Sequence, residues 1–344
     1  MKFVPKILIL PLTYTCNAQC CMCNIWQQKE QKAWMLDDLN TVIDQPVWDD
    51  IQAVNLTGGE PVLHPYFNEL VDSIICKLRH VNTISLQTNG IDVEKVSSAI
   101  EFLVKRINVE IKKKRNLHLD INISIDGPSS IHEHVRGIDG CFNKCIETIK
   151  RCQHTLATLP QHALTLNCTV ISQNVKYLNE VTQLANKLGV DVSFTFPQST
   201  NMYMDNYSSR HSFALDSCEK KIASKFLHNL LPVLNGSSAM SPRYTRQILK
   251  MLNGEKRNLT CSLFKHGLFF DIGGNIYPCW ASTDFLLGNI LTDSLDVILK
   301  KRKEISFSEQ LAQVCLDCPS NCYVDWLRRN QVRNVSSISK EGIS

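Results

Sequence analysis

Residues 13–26 read TYTCNAQCCMCNIW, and within them Cys16, Cys20 and Cys23 stand at the spacing C-x3-C-x2-C. Three thiolates this close suit a [4Fe–4S] cluster, which ordinarily takes four cysteines. A cluster held by three leaves one iron open to a small molecule, and an open iron implies chemistry. Zinc is the rival reading, because clustered cysteines also hold zinc when a histidine completes the set. The next histidine is His64, far downstream, and the spacing is not that of a common zinc finger. Cys21 lies between two of the three and is read as packing.

The cysteine loop follows an apolar, β-branched run at 7–12. Further runs of this kind stand at 51–56, 83–87, 119–125, 163–171 and 191–196. Between them lie helical patterns at 66–79, 93–104, 141–152 and 175–188. Such alternation predicts parallel strands joined by crossover helices. Six units predict an α/β fold, a partial (β/α)6 barrel, with active residues at the carboxyl ends of the strands. A small C-terminal cysteine-rich β-hairpin/helix domain is expected after it. The predicted division is a barrel core over 1–200, a helical bridge over 201–258, an auxiliary domain over 259–328 and a flexible tail over 329–344.

The chain has 344 residues, 44% hydrophobic and 20% charged, which is ordinary globular composition. A net charge of +4 spread along the chain gives no reason to expect a nucleic-acid partner. The one basic run, Lys112 to Arg115, reads as a solvated loop or helix end. No apolar run reaches the roughly 18 residues that cross a membrane. The opening MKFVPKILILPLTYTCN superficially looks like a signal peptide, but Pro11 interrupts it and cluster-type cysteines follow. A cytoplasmic, oxygen-sensitive protein is the expectation. Fifteen cysteines fall into two metal-like groups plus scattered singles, which argues against a disulfide framework.

Three segments at strand ends and one pair of residues within a strand carry further signals. Gly58-Gly59-Glu60-Pro61 follows the second strand; paired glycines let backbone approach a ligand closely, and Glu60 can accept from a ligand ammonium. Gln87-Thr88-Asn89-Gly90 ends the third strand with an Asn-Gly turn that places polar groups at the mouth. The fourth strand ends in Ser124-Ile125-Asp126-Gly127-Pro128, followed by His132 and Arg136-Gly137. There a serine and an arginine suit ribose hydroxyls and a carboxylate, while a helix-capping salt bridge is the structural alternative. Asp126 either fixes the turn or touches substrate. Asn167 and Thr169 share one face of the fifth strand by alternation.

The loop and these segments together resemble the radical S-adenosylmethionine enzymes, over roughly residues 5–200. The resemblance implies that Cys16, Cys20 and Cys23 bind a [4Fe–4S] cluster and that S-adenosylmethionine occupies the open iron. It implies cofactor contacts from Gly58, Gly59, Glu60, Pro61, Asn89, Ser124 and Arg136, with Glu60 near the methionine amino group. Met22 departs from the aromatic residue many members carry before the last cysteine; the position offers mainly backbone, so an apolar side chain serves.

A second group comprises Cys261, Cys279, Cys315, Cys318 and Cys322, with a hairpin turn marked at Gly273-Gly274. On spacing alone, four thiolates close either an iron–sulfur cluster or a zinc site. The C-x12-G-x4-C opening followed by C-x2-C resembles the SPASM domain or its shorter form, twitch, over roughly 259–325. Five cysteines, fewer than the seven of a full SPASM domain, imply one auxiliary [4Fe–4S] cluster on Cys261, Cys279, Cys315 and Cys318. Cys322 is a possible replacement for one of them.

The resemblance implies reductive cleavage of S-adenosylmethionine to a 5′-deoxyadenosyl radical that takes hydrogen from a substrate C–H, with a flavodoxin- or ferredoxin-type electron donor. A single auxiliary cluster, and a chain that opens on its first strand, favour oxidation or remodelling of a small carbohydrate-like metabolite. The alternative is a peptide or protein maturase that crosslinks, epimerises or oxidises residues. Epimerisation needs a thiol to return hydrogen, for which Cys145, Cys168 and Cys218 are candidates. The remaining alternative is a non-catalytic metal-binding partner protein.

Overall fold

In most strands, hydrophobic residues on one face and polar residues on the other fix the architecture of the computed structural model. It describes residues 3–28, 33–198, 200, 214–234, 239–259, 261–305 and 309–320. Cys322, the tail over 329–344 and most of the polar stretch from 201 lie outside the described residues.

The chain runs β1 (Ile7–Thr13), α1 (Leu36–Ile43), β2 (Ala53–Gly58), α2 (Phe67–Lys77), β3 (Thr83–Thr88), α3 (Val93–Lys112) and β4 (His118–Ser124). It continues with α4 (Ser129–Arg136), α5 (Cys141–Leu156), β5 (His162–Thr169), α6 (Leu178–Leu188) and β6 (Asp191–Thr195). After these come α7 (Ser217–Leu230), α8 (Pro242–Leu252), α9 (Ser262–His266), β7 (Gly267–Phe270), β8 (Asn275–Tyr277) and β9 (Gly288–Asn289). Two helices close the described chain, α10 (Leu295–Ile305) and α11 (Glu309–Asp317).

β1 to β6 pair in parallel in sequence order, forming the open partial barrel that the six βα units predict. β7 adds a further parallel strand on the free side of β1, with Ile9 opposite Phe269, and β8 and β9 follow it antiparallel. The cysteine-rich region therefore continues the barrel's own sheet. Helix α4 escapes the sequence pattern because two of its three buried residues are His132 and Arg136, so its core side does not read as apolar. Helix α3 outruns its predicted end by two turns, carried by buried Ile107 and by Glu110.

One face of the sheet (Leu10, Leu56, Leu86, Ile121, Leu166) packs under the helices as the main core. The other face alternates with it and is half-buried and polar: Asn55, Ser85, Gln87, Asn122, Asn167 and Thr195. Asn122 Nδ2 and Gln87 Nε2 each donate to Ser85 Oγ at 3.2 Å, and Thr195 Oγ1 donates to Asn167 Oδ1 at 3.1 Å. Towards β1 and β7 this inner face turns apolar, where Ile7, Ile9, Ala53, Phe269 and Tyr277 pack against Cys261, Cys279 and Trp280.

The basic run is not uniformly solvated. Arg115 is half-buried and donates to the carbonyls of Ile75, Leu78 and Val81 and to Glu110. Glu110 also receives Arg106 and Lys113, and these partners hold its carboxyl down to about 2 against the cost of burial.

Candidate active site

The cysteine loop leaves the carboxyl end of β1 and is clamped from three sides. From β2, Gly59 N donates to Thr13 O at 2.7 Å and Glu60 N to Thr15 O at 2.8 Å. A Cβ on Gly58 would stand 2.3 Å from Thr13 O, and one on Gly59 2.4 Å from Thr15 O. The glycine pair is thus required for contact with the chain's own loop, a reason the sequence pattern does not contain. From α4, the Arg136 and Val135 carbonyls accept from Gln19 N at 2.8 Å and Cys21 N at 3.0 Å. Gly137 ends that helix in the left-handed region at φ 67°, where an added Cβ would meet Gln19 O at 2.5 Å. From β3, Asn89 Nδ2 donates to Asn17 Oδ1 at 2.7 Å and approaches Cys16 Sγ at 3.9 Å.

Within the loop Cys20 is buried, while Cys16, Cys21 and Cys23 are half-buried. Burial pushes the Cys16 and Cys23 thiols up to about 12 and Cys21 to about 11. It raises Cys20 as well, against the nearby Arg136 charge. Thiols in such a setting ionise when a metal takes the charge. Asn89 and Arg136 supply donors to two of the sulfurs, a setting that fits a thiolate-bound cluster.

Glu60 is placed differently from the expectation of a ligand ammonium. Its carboxylate is fully buried and turned to β3, accepting from Thr88 Oγ1 at 2.8 Å and from Asn89 N at 2.7 Å. Burial raises it to about 7 against those hydrogen bonds. Glu60 therefore fixes Asn89, which in turn fixes the cysteine loop. Pro61 opens a 3-10 turn behind it and is buried.

Arg136 forms the buried salt bridge that was the structural alternative. Its Nε donates to Asp126 Oδ2 at 2.6 Å and its Nη1 to Cys20 Sγ at 3.5 Å. Asp126 Oδ1 accepts from Thr169 N at 3.0 Å, so Asp126 ties the fourth strand's exit to the fifth. His132 Nδ1 accepts from Asp126 N at 3.1 Å, and burial keeps its imidazole down at about 4. Ser124 is half-buried on the inner face at the end of β4, opposite Asn167 of β5.

None of the three candidate hydrogen-donor thiols is placed on the inner face. Cys145 lies on α5, outside the sheet, fully buried, with its S–H donating to Asn89 O at 3.2 Å and its sulfur 3.6 Å from His132 Nε2. Cys168 points to the helix side of β5, between the inward Asn167 and Thr169, and receives Asn174 Nδ2 at 3.7 Å. Cys218 is exposed in the first turn of α7.

In the C-terminal region Cys261 caps α9, Cys279 follows β8, and Cys315 and Cys318 end α11. Cys279 is raised to about 12 by burial and by the charges of Cys261 and Cys315; Cys315 is raised to about 11 by burial, Cys261 and Cys318. That mutual influence brings the four thiols into one neighbourhood. Ser282 Oγ lies 3.2 Å from Cys279 Sγ. Arg257 and Arg302, neither singled out from the sequence, place positive charge near Cys315 and hold it lower. Arg257 Nη1 also donates to the carbonyls of Cys318 and Ser320, at 2.9 and 2.8 Å. Among the described residues no three His, Cys, Asp or Glu side chains converge closely enough for one metal ion. A cluster, which gives each thiolate its own iron, needs no such convergence.

Comparison with known proteins agrees with this arrangement. The model of the Radical SAM superfamily matches residues 10–185, and that of the SPASM iron-sulfur cluster-binding domain matches residues 261–319. The antilisterial bacteriocin subtilosin biosynthesis protein AlbA of Bacillus subtilis is 22% identical over 98% of this chain and 72% of its own length. The mycofactocin maturase MftC of Mycobacterium ulcerans is 27% identical over 84% of this chain and 72% of its own length. Among solved structures, anSMEcpe with bound AdoMet superposes with a TM-score of 0.65 at 20% identity, covering 91% of this chain and 88% of that one. A radical SAM domain binds a [4Fe–4S] cluster and S-adenosylmethionine, and a SPASM domain binds auxiliary iron–sulfur clusters. The chain belongs to the Radical SAM superfamily and carries a C-terminal SPASM domain.

Proposed function

We propose that this chain is a radical peptide maturase: it takes hydrogen from a residue of a peptide and leaves that residue crosslinked, epimerised or oxidised. Cys16, Cys20 and Cys23 hold the cluster of the radical domain. Bound there, the cluster would supply the electron for reductive cleavage of S-adenosylmethionine. Asn89, fixed by Glu60, and Arg136, fixed by Asp126, orient the cysteine loop. Ser124, Asn167 and Thr169 stand at the mouth, where cofactor and substrate meet. Cys261, Cys279, Cys315 and Cys318 would hold an auxiliary cluster, which would offer an outlet for an electron in a net oxidation.

What carries the reading is that the likeness to AlbA and MftC runs through the barrel and the SPASM region together. A peptide substrate replaces the small carbohydrate-like metabolite as the leading assignment. The count of auxiliary cysteines favours the metabolite at first sight, but that count sets how many clusters are held and does not report on the substrate. The inner face supports the peptide: amides and hydroxyls at Gln87, Asn122, Asn167 and Thr195 suit uncharged peptide groups, with Asp120 and Asp191 kept towards the amino ends of their strands.

The test is incubation of the reconstituted, reduced protein with S-adenosylmethionine and any short peptide encoded beside its gene, followed by mass spectrometry. Loss of two hydrogens marks crosslinking or oxidation, and solvent deuterium in an otherwise unchanged peptide marks epimerisation. Turnover of a sugar alcohol with none of any such peptide would return the assignment to a small metabolite.

A further inference from the structure

We propose that the buried Asp126–Arg136 pair sets the reduction potential of the radical cluster, with Arg136 as the positive end aimed at the Cys20 thiolate. The proposal rests on the assignment of Cys20 as a cluster ligand. The pair is dry: the Asp126 side chain is 0% exposed and that of Arg136 9%. Both ends are tied to backbone. Asp126 is held by the Thr169 N–H, and the Arg136 carbonyl accepts from Gln19, one residue before Cys20. The guanidinium therefore has little freedom to leave Cys20, which its Nη1 meets at 3.5 Å. His132 accepts the Asp126 N–H through Nδ1, which places its own proton on Nε2.

Reduction adds one negative charge to a cluster, and net charge, hydrogen bonds to the sulfurs and solvent exposure set its potential. A cation donating to a cluster thiolate stabilises the reduced form, and the low dielectric of a buried site strengthens the effect. Asp126 opposes this from one bond further away. The two charges therefore work in opposite senses: loss of Arg136 makes the cluster harder to reduce, and loss of the Asp126 charge makes it easier. A purely structural clamp has no such sign.

The experiment is a redox titration of the reconstituted full chain in wild-type, Arg136→Met, Arg136→Lys and Asp126→Asn forms. It follows the electron paramagnetic resonance signal that changes on adding S-adenosylmethionine, which marks the radical cluster. The expected result is a fall in potential for Arg136→Met and a rise for Asp126→Asn. Each corresponds to about a tenfold change in the oxidised-to-reduced ratio, ~59 mV for one electron. Arg136→Lys, which keeps the charge, stays nearer to wild type than Arg136→Met. Shifts of the same sign, no shift in either, or loss of the cluster from both charge variants overturns the proposal. If only one of them loads, its sign decides. Iron and sulfide contents of wild type and Cys20→Ala test the ligand assignment separately, so its failure is not mistaken for failure of the inference.

Discussion

Glu60→Gln separates a residue that braces the cysteine loop from one that waits for a ligand. In the cluster-free protein the Glu60 carboxylate has two buried donors, Thr88 Oγ1 and Asn89 N, and its acid is raised to about 7 by burial. An unfolded glutamate releases its proton near 4.3. Between these values the folded chain binds more protons than the unfolded one, so Glu60's contribution to stability is full below the unfolded value and falls as pH rises through about 7. The loss amounts to about 4 kcal/mol when complete, most of it between about pH 4 and pH 7. The substituted amide has no such titration but offers one carbonyl oxygen to two donors, at a cost of about 1–3 kcal/mol at every pH. Urea denaturation of the apo protein should therefore show the variant less stable than wild type at about pH 5. Near pH 8 the gap should close or reverse, with m unchanged. A gap constant across pH, or one that widens as pH rises, would refute the buried-brace reasoning. No apo difference at all would return Glu60 to a role on a ligand.

Gly59→Ala pushes a Cβ into the Thr15 and Tyr14 carbonyls; iron bound after reconstitution should fall several-fold. Gly189→Ala, by contrast, meets no atom within 4 Å but carries the backbone strain of φ 68° far from the loop; it should cost about 1 kcal/mol of stability and leave the iron unchanged. Arg115→Ala strips a donor from the carbonyls of Ile75, Leu78 and Val81 and one partner from Glu110. That should destabilise the apo chain by about 2–4 kcal/mol in urea, and a change below about 0.5 kcal/mol, usual for surface substitutions, would mean the run is solvated after all. Cys145→Ala should cost about 1 kcal/mol through the lost S–H to Asn89 O and leave 5′-deoxyadenosine formation intact; abolished solvent-hydrogen return with cleavage retained would reinstate it as a hydrogen donor.

The barrel was legible because each of its strands carries apolar residues at alternate positions or throughout, and most of the intervening helices have an apolar stripe. The cysteine spacing named the chemistry. What stayed hidden lies in contacts across long sequence separation. Nothing local tells that Glu60 serves residues 88 and 89, or that Arg136 reaches a cysteine 116 positions earlier. A paired glycine reads the same whether it meets a ligand or its own loop. Arg115 looked like one more charge in a basic run, since only the fold reveals which member turns inward. The parallel pairing of β7 with β1 joins Phe269 to Ile9, and a four-residue strand so far from its partner carries no signal of where it docks.

The proposed start of radical chemistry at the loop of Cys16, Cys20 and Cys23 is the step on which everything else depends. Its most direct test is 5′-deoxyadenosine, measured by chromatography and mass spectrometry after reduction of reconstituted protein with S-adenosylmethionine. Wild type should form it, and a Cys16/Cys20/Cys23→Ala variant that keeps its auxiliary iron should form none. Formation by that triple variant, or none from iron-loaded wild type, would contradict the claim.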